Sequence, residues 1–244
     1  MARQIFITGI SSGIGAALAR ACLERGDQVY GISRRTPDWQ PHSNHAEDLH
    51  FARQDITDFE TLPQTLATLL KGVKKLDLLL LNAGVLGEIR DLHDTPLEEI
   101  QRVMTVNTWA NKVLLDSLFD QGVAMEQVVG MSSGAAVSGS RGWNAYALSK
   151  ASFKMLLQLY AAEWPETHFC SFAPGLVDTA MQDYLCDLSA EDCQTYPSLG
   201  RIQSVRGTKA MPTPDELAPT LLECFPQIRS EPSGSFIDIR NFSN

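Results

Sequence analysis

The sequence predicts a doubly wound α/β fold: a single domain, residues 1–244, with a parallel sheet between two layers of helices. Short apolar segments alternate with longer amphipathic ones along the whole chain, which is the pattern of repeated strand–helix units. A glycine-rich turn directly follows the first apolar segment. Residues 76–81 are almost wholly apolar, as is typical of a parallel strand covered on both faces.

The elements follow in order along the chain. Strands are predicted at residues 4–8, 28–32, 49–53, 76–81, 128–131, 168–172 and 235–239. Helices are predicted at residues 16–24, 59–71 and 144–164, and at two capping-box sequences, residues 95–98 and 213–216. Asp58 is the expected N-cap of the second helix, and Pro219 is expected to distort the last one. Residues 36–48 should form a surface connection. Residues 183–211, which lack periodicity, should form a substrate lid.

Composition limits the classes of function. The chain has 244 residues, a formal net charge of -9 and a pI of about 5.0, which argues against nucleic-acid binding. Five cysteines, an odd number without a C-x-x-C pair, and the lack of a secretory signal predict reduced thiols and a cytoplasmic location. No apolar run approaches the roughly 20 residues of a membrane span. His42, His45 and His50 lie close together, but we expect no metal site there, because their segment should be a surface loop.

The glycine-rich turn, residues 8–15, reads T-G-I-S-S-G-I-G. A turn between a strand and a helix gathers backbone N–H groups at the positive end of the helix dipole, where a pyrophosphate can bind. The alternative is a tight turn that uses glycine only for its geometry. The spacing T-G-x-x-x-G-x-G resembles the short-chain dehydrogenase/reductase family, which implies a Rossmann-type fold and a dinucleotide cofactor. The candidate contacts are Gly9, Ser11, Ser12, Gly13, Ile14 and Gly15.

The end of the second strand favours NADP(H) as the cofactor. Residues 33–35 read Ser-Arg-Arg, without the acidic residue that would bind the 2′-hydroxyl of NAD. Arg34 is the first candidate for a 2′-phosphate and Arg35 the second, although both could be solvated loop residues. The family resemblance implies further cofactor contacts at Ser33, Asp55, Ile56, Asn82, Ala83, Gly84, Pro174, Gly175, Val177 and Thr179, together with Tyr146 and Lys150.

Tyr146 and Lys150 are four residues apart at the start of a predicted helix, so they should share one helix face. Ser133 precedes Tyr146 by thirteen residues, and Asn107 lies in the predicted central helix. The resemblance implies that all four residues are catalytic. Tyr146 would be the proton donor, with its pKa lowered by the Lys150 ammonium. Ser133 would hold the substrate oxygen, and Asn107 would anchor a water that links Lys150 to solvent. Ser132 is the alternative to Ser133, and Asn107 could be an ordinary polar helix residue.

Several segments look similar to sepiapterin reductase and to the bacterial benzil reductases, among them residues 141–146 and 233–238. The implied activity is an NADPH-dependent carbonyl reductase acting on a ketone or a 1,2-dicarbonyl compound. Asp238 could anchor the substrate or be structural, and Trp143 could line the pocket or pack in the core. The alternative function is a non-catalytic NADP(H)-binding sensor or interaction protein. The family also implies a homodimer, or less commonly a tetramer, formed through helices around residues 95–121 and 144–164.

Overall fold

A computed structural model describes residues 2–39, 41 and 43–241. His42, one of the three neighbouring histidines, lies outside the described residues, as do residues 1 and 242–244 of the predicted domain. The strands are β1 (Gln4–Thr8), β2 (Gln28–Ser33), β3 (Leu49–Arg53), β4 (Lys75–Leu76), β5 (Leu78–Leu81), β6 (Ala124–Met125), β7 (Gln127–Met131), β8 (His168–Ala173) and β9 (Ser235–Asp238). The helices are α1 (Gly13–Glu24), α2 (Leu62–Leu69), α3 (Leu97–Met104), α4 (Ala110–Asp120), α5 (Asn144–Glu163), α6 (Ala180–Cys186), α7 (Ala190–Thr195), α8 (Pro197–Val205) and α9 (Pro214–Gln227).

Seven strands form one sheet in the order β3-β2-β1-β5-β7-β8-β9, and every neighbouring pair is parallel. Successive side chains of β1 point to opposite faces: Ile5 and Ile7 pack against α1 and α9, whereas Phe6 packs against α2, α4 and α5. The predicted doubly wound, single-domain Rossmann-type fold is therefore confirmed. The strand order reverses between β1 and β5, and such a switch point opens a crevice at the carboxyl ends of the strands.

Two helix starts differ from the prediction. Helix α2 begins at Leu62 with Thr61 as its N-cap residue, whereas Asp58 accepts hydrogen bonds from the backbone N–H and hydroxyl of Thr61. Residues 58–61 form a turn instead, because Pro63 suits only the first positions of a helix. The capping box expected at residues 95–98 does not form, since the Thr95 hydroxyl donates to the carbonyl of Asp91 and accepts from Asn144. The same signature at residues 213–216 does form a capping box, and α9 continues through Pro219.

Helices α3 and α4 are joined by a π-helical turn, Thr105–Trp109, which contains Asn107. Such turns shift the hydrogen-bond ladder by one residue and are frequent at functional sites. Residues 183–211, the predicted lid segment without periodicity, hold the second half of α6 and all of α7 and α8. Among the described residues, no helix is long and apolar enough to cross a membrane, and no group of three metal-ligating side chains occurs.

Candidate active site

The glycine turn lies at the switch point, between the end of β1 and the start of α1. Gly9 and Gly13 have φ angles of +77° and +60°, which other residues rarely adopt. A Cβ atom on Gly15 would lie 2.4 Å from the carbonyl oxygen of Gly9, so only glycine allows the first turn of α1 to pack this closely. Ser12 is the N-cap residue of α1, and its side chain makes no capping hydrogen bond. The turn is thus open at the positive end of the helix dipole.

Thr8 ties this turn to the segment after β5. Its hydroxyl oxygen accepts hydrogen bonds from the backbone N–H groups of Asn82 at 2.9 Å and Ala83 at 3.0 Å. The Asn82 side chain donates in return to the Thr8 carbonyl at 3.0 Å. Thr8 was not among the predicted site residues, although it opens the quoted glycine motif. Its position at the end of a buried strand, next to that motif, was the available signal.

At the end of β2, Ser33 donates a hydrogen bond to the carbonyl oxygen of Arg35 at 2.6 Å. The Arg35 guanidinium lies 3.3 Å from the hydroxyl oxygen of Ser12, and so reaches the glycine turn. Arg34 is exposed on the rim of the same cleft. Two guanidinium groups therefore border the cleft at this point. Asp55 lines the same cleft and accepts hydrogen bonds from the backbone N–H and hydroxyl of Thr57.

A cleft of about 810 Å³ runs along the carboxyl ends of the strands. It brings most of the predicted site residues together, namely Gly9, Ser11, Ser12, Gly13, Ile14, Ser33, Arg34, Arg35, Asp55, Ile56, Asn82, Ala83, Gly84, Ser133, Trp143, Tyr146, Lys150, Pro174, Gly175, Val177 and Thr179. Gly15, Asn107 and Asp238 do not line it. Gly15 and Asn107 lie beneath its surface and shape its walls, as their contacts show.

Tyr146 and Lys150 occupy the first turns of α5 and are both buried in the cleft wall. The Lys150 Nζ atom donates to the carbonyl oxygen of Met131 at 2.7 Å, and lies 5.7 Å from the centre of the Tyr146 ring. The Ser133 hydroxyl accepts a hydrogen bond from the backbone N–H of Ala135 at 3.2 Å, and its side chain also lowers the pKa of the Tyr146 phenol. Ser132 is the other candidate serine, and its hydroxyl oxygen is buried without a partner among the described residues. Of the two serines, Ser133 is the one that affects the pKa of Tyr146.

Burial controls the ionisation of this pair. It raises the pKa of Tyr146 to about 12, while the hydrogen bond from Ser133 acts in the opposite direction. Burial also lowers the pKa of Lys150 to about 8. The expected lowering of the Tyr146 pKa by Lys150 is therefore not what the structure shows, because desolvation of the phenolate dominates. At neutral pH the phenol holds its proton and the ammonium remains charged.

Asn107 holds two parts of the chain together. Its Oδ1 atom accepts from the backbone N–H of Val85 at 2.8 Å, and its Nδ2 atom donates to the Val85 carbonyl at 2.8 Å and to the Ser149 hydroxyl at 2.9 Å. The Asn107 carbonyl accepts from the side chain of Asn111 at 2.9 Å. A Cβ atom on Gly84 would lie 3.1 Å from Asn107 Oδ1 and 3.6 Å from Lys150 Nζ. Asn107 is therefore next to Lys150, with its side-chain amide already engaged.

The segment 183–211 packs on Tyr146. Its side chains Leu185, Leu199, Ile202 and Met211 form a hydrophobic cluster with Tyr146 and Leu86. Trp143 joins this cluster from the start of α5, with its ring 5.9 Å from that of Tyr146, and donates from Nε1 to the Ser198 hydroxyl at 2.8 Å. Trp143 thus both lines the cleft and connects α5 to α8.

Asp238 is a partner of Arg240, and the structure does not bring it into the cleft. Its Oδ1 atom accepts from the Arg240 backbone N–H at 3.0 Å and from its Nε at 2.8 Å. The guanidinium holds the pKa of the Asp238 carboxyl below its usual value, although burial acts in the opposite direction. Of its two predicted roles, these contacts support the structural one.

Sequence reasoning missed part of the cleft wall. The residues not predicted there are Gln54, Thr57, Val85, Arg102, Thr105, Val106, Met131, Leu176, Asp178, Ala180, Met181, Gln182, Leu185 and Pro214. Four of them, Ala180, Met181, Gln182 and Leu185, come from α6, a helix that was not predicted and that begins three residues before the segment 183–211. Met181 and Leu185 pack in the hydrophobic cluster that contains Tyr146.

The cleft fits a nicotinamide dinucleotide. The Gly9 N–H donates to the Ile32 carbonyl at 2.8 Å, whereas the first turn of α1, which begins at Gly13, presents the N–H groups that a helix start leaves for a pyrophosphate. A Cβ atom on Gly13 would approach Thr179 to 3.7 Å. Thr179 is the N-cap residue of α6, and its hydroxyl makes no capping hydrogen bond. The lining therefore offers hydrogen-bond donors around the glycine turn, from Arg35 beside Ser12 and from the hydroxyl of Thr179 near Gly13.

The comparisons with known proteins agree with this geometry. Residues 3–187 match the family model described as short chain dehydrogenase. The chain is 31% identical to a benzil reductase ((S)-benzoin forming) of Bacillus subtilis over 97% of this chain and 98% of the relative. It is 32% identical to the sepiapterin reductase of Bos taurus over 47% of this chain and 45% of that protein. Both relatives belong to the branch that the sequence resembled.

A solved structure described as ElxO with NADP bound superposes with a TM-score of 0.79. It shares 22% sequence identity and covers 98% of this chain and 97% of that one, which supports the fold. The family match, the relatives and the parallel sheet with its glycine turn all lead to the same assignment. This chain belongs to the short-chain dehydrogenase/reductase family and is an oxidoreductase that binds a nicotinamide cofactor.

Proposed function

We propose that the protein is an NADPH-dependent carbonyl reductase that converts a ketone or a 1,2-dicarbonyl compound into an alcohol, with Tyr146 as the general acid. The observation that carries this proposal is the placement of Tyr146 in the wall of the cleft that Ser133 and Lys150 also line, with its phenol protonated at neutral pH. A carbonyl reduced at this point needs a hydride on carbon and a proton on oxygen. When bound, the reduced nicotinamide supplies the hydride.

Ser133, Tyr146 and Lys150 have different roles in the proton transfer. The Ser133 hydroxyl donates a hydrogen bond to the substrate oxygen and holds it next to the phenol. Burial keeps the phenol of Tyr146 protonated, so its proton is available when negative charge develops on the substrate oxygen. Tyr146 then gives this proton to the alkoxide. The charged Lys150 then stabilises the phenolate. Lys150 is held in place by the carbonyl of Met131.

Asn107 acts in this scheme by positioning Lys150 and the segment after β5. Asn107 was predicted to anchor a water that links Lys150 to solvent, and both its side-chain amide and its backbone carbonyl already have partners within the chain. A carbonyl oxygen has a second lone pair, so a water on the Asn107 carbonyl remains compatible with the contact to Asn111. We keep the water relay as part of the proposal, with Asn107 as the residue that shapes its site.

We propose NADP(H) as the cofactor. Arg34 and Arg35 border the cleft after β2, and no acidic side chain stands at this strand end to bind a 2′-hydroxyl or repel a phosphate. The sequence ranked Arg34 first and Arg35 second for binding the 2′-phosphate. The contact between Arg35 and Ser12 supports a larger part for Arg35 in this binding, because it brings the Arg35 guanidinium to the glycine turn. The similar structure with NADP bound supports the same choice.

We propose that the helices of residues 183–211 form a lid that selects the substrate. The support is their direct packing on Tyr146 and the hydrogen bond between Trp143 and Ser198. Arg206, just after α8, pairs with Asp178 at 3.1 Å and also with Asp183, so the lid is fastened to the loop that follows β8. The apolar cluster around Tyr146 suits aromatic or other apolar ketones.

We also propose a homodimer. Trp109, Leu148, Met155 and Leu159 are exposed large apolar side chains on or next to α4 and α5, where the family resemblance placed the interface. Light scattering at micromolar protein tests this: a mass near twice 26.9 kDa is expected, and a monomeric mass would overturn it. A mass near four times that value would indicate the tetramer instead.

The substrate class is tested by following NADPH absorbance with benzil, sepiapterin and a simple ketone offered in parallel. Turnover of at least one carbonyl compound, faster with NADPH than with NADH, is expected. The second candidate is a non-catalytic NADP(H) sensor. Tight NADPH binding without turnover of any of these compounds would favour the sensor. The presence of both Tyr146 and Lys150 argues against it, because a non-catalytic protein would not need them.

A further inference from the structure

A second pocket, of about 450 Å³, lies outside the cleft, where the chain before α5 meets the segment 183–211. Ser140 and Arg141 line it from the first side, and Pro197, Ser198 and Arg201 line it from α8. None of these five residues lines the cleft, and none of them is acidic. The pocket therefore gathers two guanidinium groups and two hydroxyl groups, a set of hydrogen-bond donors that suits an oxyanion.

Arg141 is held in a fixed position beside this pocket. Its Nε and Nη2 atoms donate to the carboxylate of Asp91 at 2.7 and 2.6 Å, and its guanidinium carbon lies 5.7 Å from the centre of the Tyr196 ring. These contacts engage one edge and one face of the guanidinium, and they leave Nη1 without a partner among the described residues. Arg141 thus offers a donor that needs no rearrangement, although Asp91 offsets part of its charge.

Arg201 supplies a positive charge that no carboxylate offsets. It is exposed on α8, and its guanidinium has no hydrogen-bond or ion-pair partner within the part of the chain that the structure describes. The formal net charge of the chain is -9, so a pocket lined by two arginines and no acidic residue has the opposite charge to the protein as a whole. An anion is therefore attracted to this pocket and repelled by much of the remaining surface.

Ser198 connects the pocket to the cleft. Its hydroxyl oxygen accepts a hydrogen bond from Trp143 Nε1 at 2.8 Å, and its hydroxyl hydrogen remains available as a donor. Trp143 lines the cleft beside Tyr146. An oxyanion that accepts from the Ser198 hydroxyl fixes the orientation of this hydroxyl, so that its lone pair stays directed at Trp143. A ligand of the pocket thereby supports the hydrogen bond that joins α8 to the start of α5.

We propose that the pocket binds a phosphate group, either as inorganic phosphate or as the phosphate of a small ester, and that the bound group joins α8 to the chain before α5. Donors that approach from two segments match the three terminal oxygens of a phosphate better than the two oxygens of a carboxylate. The volume of the pocket exceeds that of a phosphate ion, which leaves room for the organic part of an ester. This site goes beyond the proposed reductase activity and does not depend on it.

Calorimetric titration with inorganic phosphate tests the pocket. The protein is first saturated with NADP⁺ or NAD⁺, whichever binds more tightly, so that phosphate cannot bind at the glycine turn, and NaCl keeps the ionic strength constant. We expect saturable binding in the wild type and a dissociation constant raised by about 10-fold in Arg201→Gln, which removes a charge-assisted donor. Lys209→Gln makes an equal charge change at an exposed residue of the same segment and should bind phosphate like the wild type.

Three results of this titration would overturn the proposal. They are the absence of saturable phosphate binding in the wild type, an unchanged affinity in Arg201→Gln, and an equal loss of affinity in Lys209→Gln, which would reduce the effect to net charge. Glycerol 3-phosphate and acetate are titrated in the same way. Tighter binding of glycerol 3-phosphate than of phosphate supports an ester as the ligand, equal binding supports the inorganic ion, and tighter binding of acetate contradicts the preference for phosphate.

Hydrogen exchange tests whether the bound group joins the two segments. Phosphate should slow the exchange of backbone N–H groups in α8 in the wild type and have no such effect in Arg201→Gln. Arg201→Lys, which keeps the charge, should retain part of the protection. Phosphate binding that leaves the exchange of α8 unchanged would contradict the joining role. Neither measurement requires turnover, so a failure of the reductase proposal would leave both tests intact.

Discussion

Asn107 and Val85 are joined by two hydrogen bonds of 2.8 Å, one in each direction between the side-chain amide and the backbone. The pair fastens the π-helical turn between α3 and α4 to the segment that follows β5. The third contact, to the Ser149 hydroxyl, extends this connection to α5 between Tyr146 and Lys150. The buried amide therefore aligns three elements of the cleft through one side chain.

Asn107→Ala should destabilise the protein by about 1–3 kcal/mol, because it removes a buried amide and leaves the half-buried N–H and carbonyl of Val85 without their partner. Urea unfolding followed by circular dichroism measures the change. Lys112→Ala, on the exposed face of the next turn, is the control and should change stability by less than about 0.5 kcal/mol. Equal effects of the two substitutions would contradict the role given to Asn107.

Gly15 and Gly200 should respond differently to substitution by alanine, because a Cβ atom has no room at Gly15 and free space at Gly200. Gly15→Ala places a Cβ atom 2.4 Å from the Gly9 carbonyl oxygen, so the turn must open, and NADPH binding should weaken strongly. Gly200→Ala, within α8, meets nothing within 4 Å and should stabilise the protein by about 0.5–1 kcal/mol. Thermal unfolding and NADPH fluorescence titration compare the pair. Normal NADPH affinity in Gly15→Ala would show that the turn is not the cofactor cradle.

Arg34→Ala and Arg35→Ala should each lower the preference for NADPH over NADH. A charge-assisted hydrogen bond to a phosphate contributes about 1.5–3 kcal/mol, so each kcat/KM ratio should fall by about 10- to 100-fold. Activity with NADH should stay close to that of the wild type. Arg25→Ala, at the far end of α1, provides a control of equal charge change. A preference that survives removal of both arginines together would refute the NADP(H) assignment.

The pH dependence of kcat/KM should report Lys150. Burial lowers the pKa of Lys150 to about 8, and only its protonated form stabilises the Tyr146 phenolate. Reduction should therefore be independent of this group below about pH 8 and decline as the pH rises through that value. Tyr146, with a pKa raised to about 12, stays protonated throughout this range. In Lys150→Arg, which does not titrate, any residual activity should lack this decline. A wild-type rate that rises above pH 8 would contradict the assignment.

Local sequence patterns predicted the sheet well because its strands are defined by their own composition. Residues 4–8 and 49–53 are strands with the predicted bounds, and the apolar segment 76–81 contains β5. A strand buried on both faces can be recognised from its own side chains, whichever strands it pairs with. The same holds for the glycine turn, whose spacing reflects local geometry.

Long-range contacts account for the features that sequence reasoning missed. Thr95 and Thr213 open the same capping signature, but only Thr213 caps its helix, because Asn144 engages the hydroxyl of Thr95 from 49 residues away. From the sequence, Asp238 could either anchor the substrate or be structural. Its pairing with Arg240, which supports the structural role, could not be predicted from the strand alone.

The pKa of Tyr146 also could not be predicted from local sequence. The spacing of Tyr146 and Lys150 predicted that the ammonium would lower it, whereas burial raises it to about 12. Spacing identifies which charges are neighbours, but desolvation depends on the whole surrounding wall. Here that wall is supplied by the lid, whose packing the sequence did not reveal.

The most direct test of Tyr146 as the proton donor is a comparison of wild type and Tyr146→Phe, with benzil and NADPH, by loss of nicotinamide absorbance. The substitution removes one hydroxyl and keeps the ring that packs against the lid. We expect kcat to fall by about 10²- to 10⁴-fold while the dissociation constant for NADPH remains close to that of the wild type. A Tyr146→Phe enzyme that reduces benzil at the wild-type rate would contradict the account.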